Sequence, residues 1–280
     1  MWYKNKLILL TGSIGIVAIG IGLKTLIMSI QPAVISEQTH NGKPQPIDLI
    51  SVASGVDKHP FVEQIAKQVT VRILTKSAHG SGVIVAHKGQ TYTVLTCQHV
   101  AAESKKGDYQ VLVFDGKTYS GRLKSFKNSQ KLDLALIEFE SPRDYRPVVI
   151  GNVTKSVSGT KVYAAGFPNY HAVGKDNQED TQKLGRKVFK FTVGTVGLIL
   201  SKPALPDGYS LGYTNDVELG MSGGPVLNDR GELLGINGRS KYPIQGIDAF
   251  TFADGTKPSV ENFEKMEPLS WAVPIYKSLW

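Results

Sequence analysis

An all-β fold is predicted, from three observations. Short runs rich in Val, Ile and Thr recur along most of the chain. Their apolar positions repeat with period two rather than 3.6. Clusters of Gly, Lys, Asp and Ser separate them at regular intervals, and helical patterns are few. Strands spaced this way argue for a sandwich or for barrels. The 280 residues suffice for one large or two small domains with a substantial core.

The first lysines, Lys4 and Lys6, precede an uncharged aliphatic run, Leu7–Leu23, and a second apolar patch follows Lys24. This predicts a hydrophobic helix within residues 1–30, read as an uncleaved signal anchor, with a cleaved signal peptide as the alternative. The basic flank places the N-terminus inside and the rest of the chain on the extracytoplasmic side, or secreted if cleavage occurs. Residues 31–56 are polar, contain Pro32, Pro44 and Pro46, and read as a linker. Phe61–Lys67 is amphipathic and predicts one helix of two turns.

Strand-like runs then follow at 69–74, 82–86, 92–96, 109–114, 119–124 and 132–139. Weaker ones lie at 148–150 and 161–165. The segment 169–187 is polar and charged and reads as a mobile loop. Runs at 190–196, 197–200, 226–227, 233–237 and 271–274 complete the set. Asn228-Asp229-Arg230-Gly231 is a hairpin turn between two of them.

Composition narrows the function. The net charge is +8, but the lysines are scattered among acids and no aromatic-interleaved basic block occurs. A solvated basic surface is therefore preferred to a nucleic-acid partner. The single cysteine, Cys97, allows no internal disulfide and reads as core. No H-E-x-x-H or paired C-x-x-C occurs, so no metal or cofactor is expected. Gly116-Lys117-Thr118 would suit a phosphate loop, but Val111 stands where the first glycine belongs.

Gly220-Met221-Ser222-Gly223-Gly224-Pro225 carries the chemistry. A G-x-S-G-G-P match should arise by chance on the order of once in a thousand such chains. Glycines permit positive φ and close approach of another backbone. A serine there offers an exposed hydroxyl beside converging N–H groups, as an acyl-transfer nucleophile requires. The stretch also fits G-x-S-x-G, whose folds place the histidine after the serine. The histidines are His40, His59, His79, His87, His99 and His171, and all precede Ser222, which rejects that alternative. His40 and His171 read as exposed bystanders, His79 as a turn cap, His87 as a hairpin tip and His59 as a helix start. His99 closes an apolar strand and enters a small-residue segment, a rigid place for a base. Asp133 is the matching acid, since a carboxylate among Leu132, Leu134 and Ala135 is costly unless paired.

In these residues the chain resembles trypsin-like serine proteases of the chymotrypsin fold. Thr96-Cys97-Gln98-His99-Val100 is similar to the family's histidine motif, Leu132-Asp133-Leu134-Ala135 to its aspartate motif and Gly220–Pro225 to its serine motif. Gly80–Val85, Gly224–Asn237 and Trp271–Ile275 resemble the bacterial HtrA-like branch. So few residues follow Trp271 that the resemblance is to a member without a PDZ domain. The resemblance implies two six-stranded antiparallel β-barrels, about 57–150 and 151–280, forming a protease domain over 57–280. It implies His99 as base, Asp133 as its orienting acid, Ser222 as nucleophile and the N–H groups of Gly220 and Ser222 as oxyanion hole. The substrate would be a polypeptide. Met221 replaces the aspartate of the zymogen-activated branch, so no such activation is expected. Asp216 occupies the place of the trypsin S1 acid, although a surface acid is the plainer reading, and Asn237-Gly238 would form a substrate-pairing edge. A catalytically weak binding or scaffold protein on the same fold, or an esterase, are the alternatives. Oligomeric state is not legible.

Overall fold

The computed structural model describes residues 59–75, 79–102, 104, 108–125, 131–173, 177–202 and 204–277. The hydrophobic segment 1–30 and the linker 31–56 lie outside the described residues. Among the described residues no helix is long and apolar enough to cross a membrane.

Helix α1, His59–Val69, buries Val62, Ala66 and Val69. These positions are four and three residues apart and so lie on one helical face. The helix runs directly into β1, Thr70–Leu74. β2 (His79–Lys88) and β3 (Thr91–Thr96) form a hairpin. A one-turn helix α2, Gln98–Ala102, follows. β4 (Tyr109–Leu112), β5 (Thr118–Lys124) and β6 (Ala135–Glu140) complete a closed antiparallel barrel in the order β1-β2-β3-β6-β5-β4. Barrel closure leaves no edge strand open to foreign pairing. Tyr92 and Tyr119 each stack on Phe139, and Tyr145 packs edge-on against both tyrosines.

A connecting segment, 141–160, is tied to both barrels. Val148 N–H donates to the Ile84 carbonyl, and Gly151 N–H to that of Leu233. The strand expected at 148–150 reduces here to one parallel bridge, Ile150 with Leu233.

The second half yields β7 (Lys161–Gly166), β8 (Tyr170–Val173), β9 (Asn177–Asp180), β10 (Lys190–Ile199), β11 (Leu211–Tyr213), β12 (Pro225–Leu227), β13 (Leu233–Arg239) and β14 (Ser270–Pro274). Six of these close a second barrel, β10-β11-β14-β13-β12-β7. The two runs expected at 190–200 are one strand, β10, and β11 was not expected at all. Helix α3, Val260–Met266, is also unexpected; Ser259 caps it by accepting from Asn262 N–H.

The segment expected to be a mobile loop is partly ordered. β8 and β9 pair as a hairpin, and a 3-10 stretch follows over Gln182–Val188. The reason is Arg72, a fully buried residue on β1. Its guanidinium donates to the Thr181 carbonyl at 2.9 Å, to the Thr181 hydroxyl at 2.7 Å and to the Gly185 carbonyl at 3.1 Å. A polar strand residue thus supplies the donors that this segment's backbone needs once it is removed from water.

Arg72→Met keeps much of the volume but leaves those acceptors without donors. It is expected to lower the unfolding free energy by about 3 kcal/mol, measured by urea denaturation. A change below about 0.5 kcal/mol would show that the anchor contributes nothing.

Candidate active site

The site lies where one turn of the second barrel meets β2 and α2 of the first. Ser81, on β2, makes the junction. Its N–H donates to the Ser222 carbonyl at 2.8 Å, and its hydroxyl donates to the Gly220 carbonyl at 2.8 Å. The same hydroxyl accepts from Phe167 N–H at 2.9 Å, and the Ser81 carbonyl accepts from the Thr96 hydroxyl at 2.7 Å. Two carbonyls of the serine turn are therefore held toward the first barrel.

The turn's N–H groups divide into two kinds. Met221 N–H donates to the Glu218 carbonyl, closing a tight turn with Gly220 at φ +96°. A positive φ at the third turn residue is what glycine supplies at little cost. Gly223 and Gly224 N–H groups are bonded to the Asn237 and Met221 carbonyls. Those of Gly220 and Ser222 have no acceptor among the described residues. The Ser222 hydroxyl likewise makes no hydrogen bond to a described residue. It lines a pocket with Thr75, His79, His99, Leu219 and Gly220.

His99 is half-exposed and sits on α2, just beyond the end of β3. Its Nδ1 lies 2.6 Å from Asp133 Oδ2, and its backbone N–H donates to Asp133 Oδ1 at 2.9 Å. Asp133 lies in the bend before β6 with its carboxylate mostly buried. The Tyr209 hydroxyl also donates to Oδ2. Burial alone would raise the carboxyl's pKa. The hydrogen bonds from the His99 ring, Tyr209 and the His99 backbone outweigh it and hold the value at about 2.

His79 offers a competing arrangement. It begins β2 rather than capping a turn, lines the same pocket, and its Nε2 lies 3.4 Å from Asp180 Oδ2. That carboxylate is about half exposed and its contact is long. The His99–Asp133 contact is shorter and doubly bonded, and its carboxylate is the better buried of the two, although the His79 ring is more buried than that of His99.

The remaining sequence candidates separate. Asp216 is 71% exposed, ion-paired with Lys241 at 2.5 Å, and lines neither pocket beside His99. The hydrogen bond from Lys241 keeps its carboxyl below the ordinary range. It sits at the surface, not on a pocket floor. Asn237 is also placed differently from expectation. It is buried, its Nδ2 donates to the Met221 carbonyl at 3.1 Å, and its Oδ1 accepts from Tyr213. Its backbone accepts from Gly223 N–H and donates to the Gly224 carbonyl. With its polar atoms so engaged, Asn237 braces the serine turn from behind. Gly238 lines a second pocket together with His99, Asp133, Tyr209 and Arg239. Cys97 is buried, its thiol donates to the Asn237 carbonyl, and burial pushes its pKa well up, so it is a core residue rather than a nucleophile. Ser81 and Tyr209 were not singled out from sequence.

The trypsin-like peptidase domain family matches residues 80–236, more than half of the chain. The chain belongs to the trypsin-like peptidases. It is 30% identical over 174 residues to the putative serine protease HhoA of Synechocystis, covering 61% of this chain and 39% of that one. The serine protease Do-like HtrA of Bacillus subtilis is 26% identical, covering 67% and 39%. The probable periplasmic serine endoprotease DegP-like of Marinomonas is 29% identical, covering 75% and 40%. The chain thus spans about two fifths of the length of these curated relatives.

The Asp133 geometry has a stability consequence. Folding lowers the carboxyl from its ordinary value near 3.8 to about 2, so the unfolded chain binds more protons between those values. Stability is complete above about pH 4 and falls as pH drops toward 2. One unit is worth about 1.4 kcal/mol, so wild type is expected to lose about 2 kcal/mol across that window that Asp133→Asn does not lose. Urea unfolding of both chains at pH 5 and pH 2 measures it, and parallel losses would refute the assignment.

Proposed function

We propose that the chain is a serine endopeptidase acting on polypeptides through Ser222, His99 and Asp133. The observation that carries this reading is the 2.6 Å contact of His99 Nδ1 with a mostly buried Asp133, on the wall of the pocket that also holds Ser222.

The Ser222 hydroxyl attacks the carbonyl carbon of the scissile peptide, and His99 Nε2 takes its proton as the C–O bond forms. Asp133 fixes the imidazole with Nδ1–H toward itself and stabilises the imidazolium without taking the proton. The carbonyl oxygen, now negative, is met by the N–H groups of Gly220 and Ser222, the two in this turn without an acceptor. The imidazolium then gives its proton to the leaving amine as the C–N bond breaks, leaving an acyl-serine. Water, deprotonated by the same imidazole, releases the second product and restores Ser222. The absence of a Ser222–His99 hydrogen bond is compatible with this sequence, because catalytic contacts often tighten only around substrate.

The N-terminal basic and hydrophobic segment supports export, with the peptidase domain on the extracytoplasmic face and the segment as membrane anchor. The name of the Marinomonas relative, a probable periplasmic endoprotease, agrees with export.

Ser222→Ala is expected to abolish casein hydrolysis while leaving the circular dichroism spectrum and melting transition unchanged. Residual hydrolysis at the wild-type rate would remove Ser222 from the mechanism. Loss of casein cleavage in wild type with retained ester hydrolysis would favour an esterase.

Gly220→Ala tests the oxyanion donors. A Cβ there would lie 2.3 Å from Asn169 Oδ1 and 2.6 Å from the Phe167 carbonyl oxygen, at a φ that side chains avoid. The turn must shift and carry its N–H away. The kcat is expected to fall about 10²–10³-fold with KM little changed; an unaltered kcat would exclude this N–H from the oxyanion hole.

A further inference from the structure

The carboxylate of Asp133 comes from the first barrel, yet the second barrel supplies much of what holds it. Asp133 N–H donates to the Asp207 carbonyl at 2.9 Å. Two residues later Tyr209 directs its hydroxyl onto Oδ2, the oxygen that faces His99 Nδ1. Tyr209 is 2% exposed. Burial, with Cys97 and Asp133 close by, pushes its phenol far above the ordinary range, so it stays a donor at any working pH. The guanidinium of Arg239 lies 4.5 Å over its ring and packs it in place.

Gly238 supplies the space. It occupies a bulge in β13, where the pairing with β14 slips between Asn237 and Arg239. A Cβ built on Gly238 would lie 1.8 Å from the Tyr209 hydroxyl oxygen and 2.7 Å from the ring carbon that bears it. The side chain at 238 and the phenol of Tyr209 therefore compete for one volume, directly beside the carboxylate. In this chain the phenol holds it.

We propose that Tyr209 is a positioning residue for the His99–Asp133 pair, and that position 238 is glycine because the Tyr209 hydroxyl fills the space its side chain would take. This rests on the triad reading above. Oδ1 accepts from the His99 backbone, while Oδ2 accepts from Tyr209 and the imidazole. Held at both oxygens, the carboxylate does not rotate about its own axis, and the plane of the imidazole is fixed with it. Without the phenol, Oδ2 keeps a buried lone pair with no donor and the carboxylate gains rotational freedom. Tyr209 touches no reacting atom, so its removal acts on turnover rather than on substrate affinity.

Tyr209→Phe removes the hydroxyl and keeps the ring. It is expected to lower kcat about tenfold with KM within twofold on a peptide substrate. In the Ser222→Ala background, where turnover is irrelevant, the same change is expected to move the far-downfield proton resonance of His99 Nδ1–H. An exchange of donors tests the steric half. Gly238→Ser is expected to impair the wild-type chain by driving the phenol off Asp133, but to raise kcat when added to Tyr209→Ala, because a hydroxyl then reaches the carboxylate from β13. A Tyr209→Phe protein with wild-type kcat and an unmoved resonance would overturn the proposal. So would Gly238→Ser lowering kcat equally in both backgrounds. Should Tyr209→Ala fail to fold, the Phe variant decides alone. Should wild type cleave no peptide, the endopeptidase reading fails, and the resonance still reports whether Tyr209 holds the pair.

Discussion

The junction at Ser81 is the contact on which the site depends. A group that must move a proton between barrels needs them held in register to a fraction of an ångström. Ser81 does this with backbone and side chain together, by donating to the Ser222 and Gly220 carbonyls from β2. Each of those bonds fixes the far side of a peptide in the serine turn. The N–H groups of Gly220 and Ser222 belong to the neighbouring peptides, whose Leu219 and Met221 carbonyls accept from Asn169 N–H and from Gly224 N–H and Asn237 Nδ2, and they have no acceptor among the described residues. Asn237 braces the same turn from β13, donating Nδ2 to the Met221 carbonyl and accepting from Gly223 N–H.

The second constraint is a buried charge. A carboxylate removed from water is tolerated when its oxygens accept hydrogen bonds. Asp133 is supplied from α2 and from the segment before β11, that is, from both barrels. Its low pKa follows from this arrangement, and so does its ability to stay ionised beside an imidazole. Stability and orientation of the pair thus have a common source.

The β architecture was legible because it is written locally, in period-two runs broken by turn residues. His99, Asp133 and Ser222 drew attention for a related reason: each sits in a short, distinctive neighbourhood. Tyr209 had no such signal, and Ser81 lay in a stretch noted only as a resemblance, without a role. Their partners lie 76 and 139 residues away in sequence, and neither residue type is unusual where it stands. The β8–β9 hairpin was hidden because its strands are only four residues each and β9 is entirely polar, and the arginine that anchors the segment after it belongs to a strand about a hundred residues earlier. Asn237 drew attention through its position rather than through its contacts. Its place after an apolar strand suggested a substrate-pairing edge, whereas its N–H and carbonyl are bonded to Gly224 and Gly223 of the serine turn. Asp216 drew attention through its spacing from Ser222, but spacing does not specify which way a loop points.

The most direct test of the central claim is chemical. Native protein treated with a fluorophosphonate, digested and sequenced by mass spectrometry, should carry one phosphonyl group, on Ser222, and should carry none if unfolded in urea beforehand. That pattern requires a serine activated by the folded site rather than by its own sequence. No adduct on native protein, or an adduct on Ser81 in place of Ser222, would contradict the account.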